Sequence, residues 1–463
     1  MAFVPPEEIR DAFSDALSDM YRKEVPLYGT LVDIVAKVDA RVAGAPGKEG
    51  DVGQADGARA RRERHGAIRV GTAAELSIIS RIFAVMGMRP VGYYDLAPAG
   101  VPVHATAFRP IERRSLDRHP FRVFTSLLRL DLIEDEELRM LAAGIVSRRK
   151  IVSDDALALV DRCGNQGGLD ASQAGRFVAE VLETFRWHQD ACIDEATYHR
   201  LLQAHRLVAD VVSFQGPHIN HLTPGTLDID AVQREMRAAG IEMKAEVEGP
   251  PPRAAPILLR QTSFKAIEEP VRFPASGSET AGTHAARFGE IEQRGVALTR
   301  TGRALYDALL AEARSESASG IPYGERLAAA FTRFPDDHAT LRREKLAFYR
   351  YAPTQAGIVA ASKGPGHNDV AALVDAGWLS AEPILYEDFL PVSAAGIFQS
   401  NLGDAEPRNV VGRSSQALFE AELGMAVLDP FDLYAAIQGE SIDAALASLG
   451  VADGCRADAT IER

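Results

Sequence analysis

The feature that most constrains the fold is a strand–helix–strand pattern that occurs twice, on either side of a long helical block. Residues 65–110 begin with the short apolar stretch HGAIRV, continue with a helical pattern and end in two strand patterns. Residues 211–297 repeat this order, with HINHLT, a helical pattern and further strand patterns. Apolar residues at three- and four-residue spacing favour a helix, whereas strict alternation favours a strand. We therefore predict two β-α-β-β-type modules that share little sequence.

The remaining chain is mostly helical, so the predicted fold class is α+β. Pro26 is expected to break the N-terminal helical run of residues 6–44 into two helices. The block between the modules, residues 111–205, looks helical throughout. The predicted divisions are an N-terminal helical segment and loop (1–60), a first module (61–110), a helical insertion (111–205), a second module (206–300) and a C-terminal α/β extension packing on the sheet (301–463).

Composition excludes several classes of function. The 463-residue chain has a formal net charge of −14, which argues against nucleic-acid binding and against adhesion to anionic membranes. Neither a signal peptide nor an apolar run long enough to span a bilayer is visible. The three cysteines form no C-x-x-C motif, which predicts reduced thiols in a cytoplasmic protein.

Two histidines stand out because the modules place them at equivalent positions. His65 lies seven residues before Thr72, where the helix of the first module is expected to begin. His221 lies seven residues before Asp228, which together with Asp230 is a candidate cap of the second helix. His218 is a second candidate, but residues three apart on a strand point to opposite faces. Position alone therefore favours His221 and leaves His218 open.

A third candidate ligand lies in the last strand of the second module, FGEIEQRG. Glu290, Glu292 and Arg294 alternate onto one face of this strand. A buried carboxylate is costly unless it is paired or binds a metal, so one glutamate would bind a metal and the other would pair with the arginine. A solvated face with a Glu–Arg pair is the alternative. Two imidazoles and one carboxylate leave open positions on iron(II), although zinc and manganese accept the same ligands.

Two further features suggest that the ligand carries a carboxylate. Arg69 follows His65 by four residues on the same face of a strand, where its guanidinium can grip a carboxylate with two parallel hydrogen bonds. A surface arginine is the alternative. The segment FLPVSAAGIFQSNLG has small residues that let backbone N–H groups approach a carboxylate, with ordinary close packing as the alternative.

At these residues the chain resembles the 2-oxoadipate dioxygenase/decarboxylase family, also called D-2-hydroxyglutarate synthase, of the vicinal-oxygen-chelate superfamily. The resemblance rests on ERHGAIRVGT, GPHINHLTP, FGEIEQRG and FLPVSAAGIFQSNLG, in this order and at similar separations, and covers nearly the whole chain. It implies a central β-barrel-like sheet from two β-α-β-β-β modules, surrounded by helices.

The resemblance also implies a role for individual residues. The implied metal ligands are His65, His221 and Glu290; the implied substrate contacts are Arg69, Val392 and Ser393, with Arg69 also catalytic; the implied neighbours of the ligands are His218, Glu292 and Arg294. Glu290 is preferred to Glu292 as the ligand only from its approximate separation along the chain.

The implied reaction uses non-haem Fe(II) to convert 2-oxoadipate and O2 into 2-hydroxyglutarate and CO2, a step of lysine catabolism. The substrate supplies the 2-oxo acid itself, so no separate cosubstrate is needed. The alternative is another vicinal-oxygen-chelate metalloenzyme, an isomerase or dioxygenase, that acts on a different small oxo acid. A binding protein that keeps the barrel but lacks the metal ligands is less favoured, because all three candidate ligands are present. None of these three readings predicts an oligomeric state.

Overall fold

A computed structural model describes residues 2–44, 63–274, 280–315, 320–362, 369–390 and 415–450. The chain forms two compact units, one spanning 1–248, 261–293 and 389–428, the other 249–260, 294–388 and 429–463. The five divisions drawn from the sequence remain a prediction.

The N-terminal segment forms two helices, α1 (Pro6–Glu24) and α2 (Pro26–Ala43). The predicted break at Pro26 is confirmed: this residue begins α2, because a proline lacks the N–H group that a helix interior requires. Phe13 and Leu17, spaced by one helical turn, are completely buried on the core side of α1.

One sheet organises the two modules. Its strands are β1 (Glu63–Val70), β2 (Arg89–Asp95), β3 (Val103–Arg109), β4 (Arg122–Leu128), β5 (His221–Pro224), β6 (Leu259–Ser263), β7 (Ile267–Phe273) and β8 (Thr280–Arg294). The order is β2-β3-β4-β1-β5-β8-β6, and β7 pairs with β8. The two modules meet where β1 pairs antiparallel with β5. The predicted pair of β-α-β-β-β modules is confirmed.

Helices follow the strands or join them. In the first unit they are α3 (Ala73–Val85), α4 (Arg113–Arg118), α5 (Glu136–Val146), α6 (Asp154–Gln166), α7 (Ala171–Thr184), α8 (Glu195–Ala204), α9 (Arg206–Ser213), α10 (Ile229–Ala238) and α16 (Gln416–Leu423). The predicted helix start at Thr72 is confirmed, and of the two candidate caps of the second helix it is Asp228 that serves: the side chains of Thr72 and Asp228 accept backbone N–H bonds at the starts of α3 and α10. None of the described helices combines the length and the apolar character needed to cross a membrane.

The second unit contains the two-stranded sheet β9 (Tyr349–Pro353) and β10 (Leu379–Pro383). Its helices are α11 (Arg300–Ser315), α12 (Tyr323–Phe331), α13 (His338–Arg343), α14 (Gln355–Ala361), α15 (Val370–Asp375) and α17 (Pro430–Ser448). Of the described residues in the predicted C-terminal extension, α16 and α17 are the last two helices along the chain.

The expectation that residues 111–205 are helical throughout is wrong at β4. This strand pairs parallel with β1 and antiparallel with β3, so it completes the first module. All seven of its residues are buried, which means that both faces of the strand are covered. A strand covered on both faces shows no alternation of apolar and polar residues, and the sequence RVFTSLL therefore gave no strand signal.

Successive side chains of β1 point to opposite sides of the sheet, one side facing the apolar core and the other the candidate site. Ile68 belongs to the main apolar core, so the alternate positions, His65 and Arg69 among them, point to the opposite side of the sheet. His221 pairs with Ala67 across the β1–β5 ladder and shares that side. We call this side the inner face.

Gly66 of β1 lies against two core side chains, and a residue with a Cβ atom at this position would press on them. A Cβ atom there would lie 2.6 Å from Ile219 Cδ1 and 3.0 Å from Leu222 Cδ2. We therefore expect Gly66→Ala to lower the free energy of unfolding by about 1–3 kcal/mol, the usual cost of overpacking. Urea unfolding of the metal-free protein measures this change.

The matched control is Gly164→Ala in α6, where an added Cβ meets no atom within 4 Å. Alanine is favoured over glycine inside a helix by about 0.5–1 kcal/mol, so this variant should be unchanged or slightly more stable. Equal stability of the two variants would contradict the close packing of β1 on β5.

Candidate active site

Three side chains from three neighbouring strands converge on the inner face. One ligand atom from each of His65 (β1), His221 (β5) and Glu290 (β8) lies within 4.8 Å of the other two, and all three residues are buried. Glu290 Oε2 is 2.9 Å from His65 Nε2 and 3.6 Å from His221 Nε2. β5 lies between β1 and β8 in the sheet, and this strand order brings together residues that are distant in sequence.

The imidazole of His65 is held from its other side by Glu292. His65 Nδ1 lies 2.9 Å from Glu292 Oε2, and Arg122 Nη1 lies 3.5 Å from Glu292 Oε1. Arg122 is the register partner of His65 on β4, so its side chain shares the inner face. A neutral His65 that donates Nδ1–H to Glu292 keeps the lone pair of Nε2 for a metal.

Glu290 is hydrogen-bonded at both carboxylate oxygens. Gln261 Nε2 donates to Oε1 at 3.1 Å, and the Thr223 hydroxyl donates to Oε2 at 3.0 Å. Burial alone would raise the pKa of Glu290, but the nearby imidazoles of His221 and His65 outweigh it and lower that pKa. The side chain is therefore a carboxylate, the form that binds a cation.

The two histidines differ in their surroundings. Burial lowers the pKa of His221 to about 3, and the ring stacks on Phe288 with ring centroids 4.8 Å apart. Burial also opposes the charged form of His65, but the neighbouring carboxylates of Glu292 and Glu290 outweigh this and raise its pKa.

The donor set fits a divalent transition metal. One nitrogen of each imidazole and one carboxylate oxygen lie within 4.8 Å of one another in a buried region, and the other ring nitrogen of His65 contacts a second carboxylate. This set is the facial triad typical of Fe(II), and zinc accepts the same ligands. His65, His221 and Glu290 would hold the ion, with Glu292 orienting His65.

The other candidate neighbours, His218 and Arg294, have polar partners of their own. His218 Nε2 is 3.2 Å from Asp210 Oδ1, so of the two histidines in HINH it is His221 that groups with His65 and Glu290. In the second unit, Arg294 Nη1 donates to the carbonyl oxygens of Tyr386 and Asp388 at 2.9 and 2.8 Å.

Arg69 lies on the inner face, further along β1. Four residues at about 3.3 Å each put its Cα roughly 13 Å from that of His65. Only 4% of its surface is exposed, so the alternative of a surface arginine is wrong. Its Nη1 lies 2.5 Å from Asp210 Oδ2, an ion pair buried on both sides. Val392 and Ser393, the other predicted substrate contacts, lie outside the described residues.

An aromatic group covers one side of His65. The ring of Phe389 meets His65 edge to face with centroids 4.8 Å apart, and it also contacts Phe124 at 5.1 Å. The backbone N–H of Phe389 donates to the Tyr94 hydroxyl at 3.2 Å, which fixes this position against β2. These rings make the surroundings of His65 apolar on that side.

Several residues around the site were missed from sequence. They are Asp210, Arg122, Thr223 and Gln261. Phe389 begins the segment FLPVSAAGIFQSNLG that the sequence singled out, but its contact with His65 was not predicted. Alternation could have found two of them, because Thr223 follows His221 by two residues and Gln261 lies in a predicted strand. A lone acid in the apolar helix that contains Asp210 was a further signal, whereas nothing local pointed to Arg122.

Comparison with known proteins gives a consistent family. The 2-oxoadipate dioxygenase/decarboxylase family matches residues 13–401. A protein of that name from Pseudomonas putida is 52% identical and covers 97% of this chain and 98% of its own. Another from Escherichia coli is 54% identical, covering 92% of this chain and 95% of its own.

A solved structure agrees with these relatives. The crystal structure of the hydroxyglutarate synthase from Pseudomonas putida in complex with 2-oxoadipate has a TM-score of 0.87 and 50% identity, and covers 97% of this chain and 99% of its own. The similarity therefore extends over nearly the whole chain in both sequence and fold.

The two glutamates should differ in their effect on metal affinity. Glu290→Gln removes a ligand atom, so we expect affinity for Zn(II) or Fe(II) to fall by more than about 100-fold. Glu292→Gln removes only the group that orients His65, and such changes typically cost about 10–100-fold. Anaerobic competition with a chelator measures both affinities. A larger loss of metal affinity in Glu292→Gln than in Glu290→Gln would show that Glu292 is the metal ligand and Glu290 the residue that orients His65.

Proposed function

Because the chain belongs to the 2-oxoadipate dioxygenase/decarboxylase family, we propose that it converts 2-oxoadipate and O2 into 2-hydroxyglutarate and CO2. The observation that carries the proposal is where these side chains lie on the inner face. His65, His221 and Glu290 group together at one end of it, and Arg69 lies further along β1, the strand that also contains His65. A cation site at one end and a guanidinium at the other match the two ends of a 2-oxo dicarboxylic acid.

Non-haem Fe(II) is the metal that this proposal requires. Three protein ligands leave three positions of an octahedron for other ligands, as in Fe(II) oxygenases. When bound, Fe(II) would chelate the 2-oxo acid and supply the electrons that activate O2. His65, His221 and Glu290 would hold it, and Glu292 would keep the lone pair of His65 Nε2 directed at the ion.

The protein residues mainly position the substrate and keep the site dry. Arg69 would bind the carboxylate far from the 2-oxo group, which fixes the carbon chain across the inner face. Gln261 and Thr223 hold the Glu290 carboxylate in place through their hydrogen bonds. Phe389 shields one side of His65 from water.

The overall reaction balances without a second organic substrate. The C1 carboxylate leaves as CO2, and the former oxo carbon becomes the new carboxylate by gaining one oxygen atom from O2. The second oxygen atom of O2 becomes the hydroxyl group on the adjacent carbon. The shortened acid is therefore 2-hydroxyglutarate.

Lysine catabolism and a cytoplasmic location are the setting that we propose for this reaction. The free thiols of Cys163 and Cys192 are consistent with a reducing compartment.

Turnover of 2-oxoadipate tests the proposal directly. With Fe(II) and oxygen-18 gas, we expect equal amounts of O2 consumed, CO2 released and 2-hydroxyglutarate formed. One labelled oxygen should enter the new carboxylate and one the hydroxyl. Oxygen electrode, mass spectrometry and metal analysis provide these readouts.

Glu290→Gln is the matched inactive control and should abolish turnover. Full activity of both Glu290→Gln and Glu292→Gln would refute the site assignment. Turnover without O2 uptake, supported by zinc or nickel, would favour an isomerase instead.

Arg69 should determine the preference for a dicarboxylic acid. Removing one partner of a buried charge pair typically costs about 2–5 kcal/mol, so Arg69→Met should lower kcat/KM for 2-oxoadipate at least ~30-fold. The monoacid 2-oxohexanoate lacks the far carboxylate, so its kcat/KM should fall much less in this variant. Equal losses for the two substrates would show that Arg69 does not bind that carboxylate.

A further inference from the structure

A buried carboxylate on α9, Asp210, joins Arg69 to two histidines that the metal centre does not use. Asp210 Oδ2 lies 2.5 Å from Arg69 Nη1. The other oxygen, Oδ1, lies 2.9 Å from His284 Nε2 and 3.2 Å from His218 Nε2. Both oxygens of this acid are therefore occupied, one by the proposed substrate-binding arginine and the other by imidazoles.

The histidine side of this group is itself anchored. The Tyr198 hydroxyl lies 2.9 Å from His284 Nδ1, so both ring nitrogens of His284 have a partner. The Trp187 ring lies parallel to that of His284, with 2° between the planes, and meets His218 edge to face with centroids 4.7 Å apart. Asp210 is thus held by residues of several different elements.

The charge state agrees with this arrangement. Burial alone would raise the pKa of Asp210, but His218, Arg69 and His284 outweigh it and hold that pKa well below its usual range. Asp210 therefore carries a full negative charge next to the guanidinium. Among the described residues, the metal-type grouping of ligand atoms is the one formed by His65, His221 and Glu290, so the Asp210 group does not resemble a second cation site.

A guanidinium has five N–H donors in a rigid planar fork, so one edge can bind Asp210 while another binds a substrate carboxylate. A long arginine side chain has many rotamers, and ordering it on binding weakens affinity. A fixed carboxylate behind the arginine removes that cost, because the guanidinium is already oriented before the substrate arrives.

We propose that Asp210 is a positioning residue that orients Arg69 toward the far carboxylate of the substrate, and so sets the preference for dicarboxylic over monocarboxylic 2-oxo acids. The proposal rests on the proposed function. Asp210 touches neither the substrate nor the metal in this account, and acts only through Arg69.

Asp210→Asn is the variant that tests this role, because it keeps the shape of the side chain and removes its charge. Binding of 2-oxoadipate and of 2-oxohexanoate is measured calorimetrically on the Fe(II)-loaded protein under anaerobic conditions, and steady-state kcat and KM are measured in air. We expect affinity for 2-oxoadipate to fall about 10-fold or more, mainly as a raised KM, and affinity for 2-oxohexanoate to change less than about 2-fold.

Two controls separate positioning from general damage. In an Arg69→Met background, Asp210→Asn should have no further effect on the ratio of the two affinities, because the residue through which it acts is gone. Asp39→Asn makes the same change at another buried carboxylate, which is bonded to the Thr226 hydroxyl and the Leu227 N–H. It should leave the ratio unchanged.

If Asp210→Asn does not fold, His284→Gln serves instead, because it loosens Asp210 from the opposite side. It should shift the same ratio in the same direction by a smaller factor. An unchanged ratio in the folded variant, an equal loss for both acids, or tighter binding of 2-oxoadipate would overturn the proposal.

The two proposals fail differently. If the wild-type protein does not turn over 2-oxoadipate, the proposed function fails. The role of Asp210 is then read from anaerobic binding alone, where an unchanged preference between the two acids in Asp210→Asn overturns it.

Discussion

The imidazole of His65 lies between two buried carboxylates, and the rest of the site depends on this arrangement. Glu290 and Glu292 each approach one ring nitrogen at 2.9 Å. In the proposed site Glu292 would set the tautomer of His65, and Glu290 would bind the same metal ion as the ring. Two acids spaced by two residues on one strand can reach the same side of the sheet, which is why both surround one histidine. Arg122 lies behind Glu292 and offsets part of the buried negative charge.

The order of the strands in the sheet explains how residues distant in sequence form one site at the junction of the two modules. β1 and β5 are the first strands of the two equivalent modules and pair antiparallel with each other. β8 pairs with β5 on its other side. The inner face thus receives one ligand from each of three adjacent strands. Arg69 lies on the same strand as His65, so the proposed anchor for the substrate and one metal ligand share a rigid element.

Local patterns predicted much of this arrangement and missed what depends on contacts distant in sequence. The equal spacing of His65 and His221 from the capped helices located both, because the modules are equivalent. Alternation located the two glutamates but could not rank them. Arg122 was missed, since its strand is covered on both faces and gives no alternating signal. Asp210 was missed because two of its partners, Arg69 and His284, lie more than 70 residues away in either direction.

The central claim is that a single divalent ion binds His65 Nε2, His221 Nε2 and a Glu290 oxygen. Anomalous diffraction from crystals grown anaerobically with Fe(II), recorded at the iron absorption edge, tests it most directly. We expect one strong peak on the inner face, with all three ligand atoms about 2.0–2.2 Å away, as is usual for such donors. A peak that excludes any of these three residues, or one that has Glu292 in place of Glu290, would contradict it.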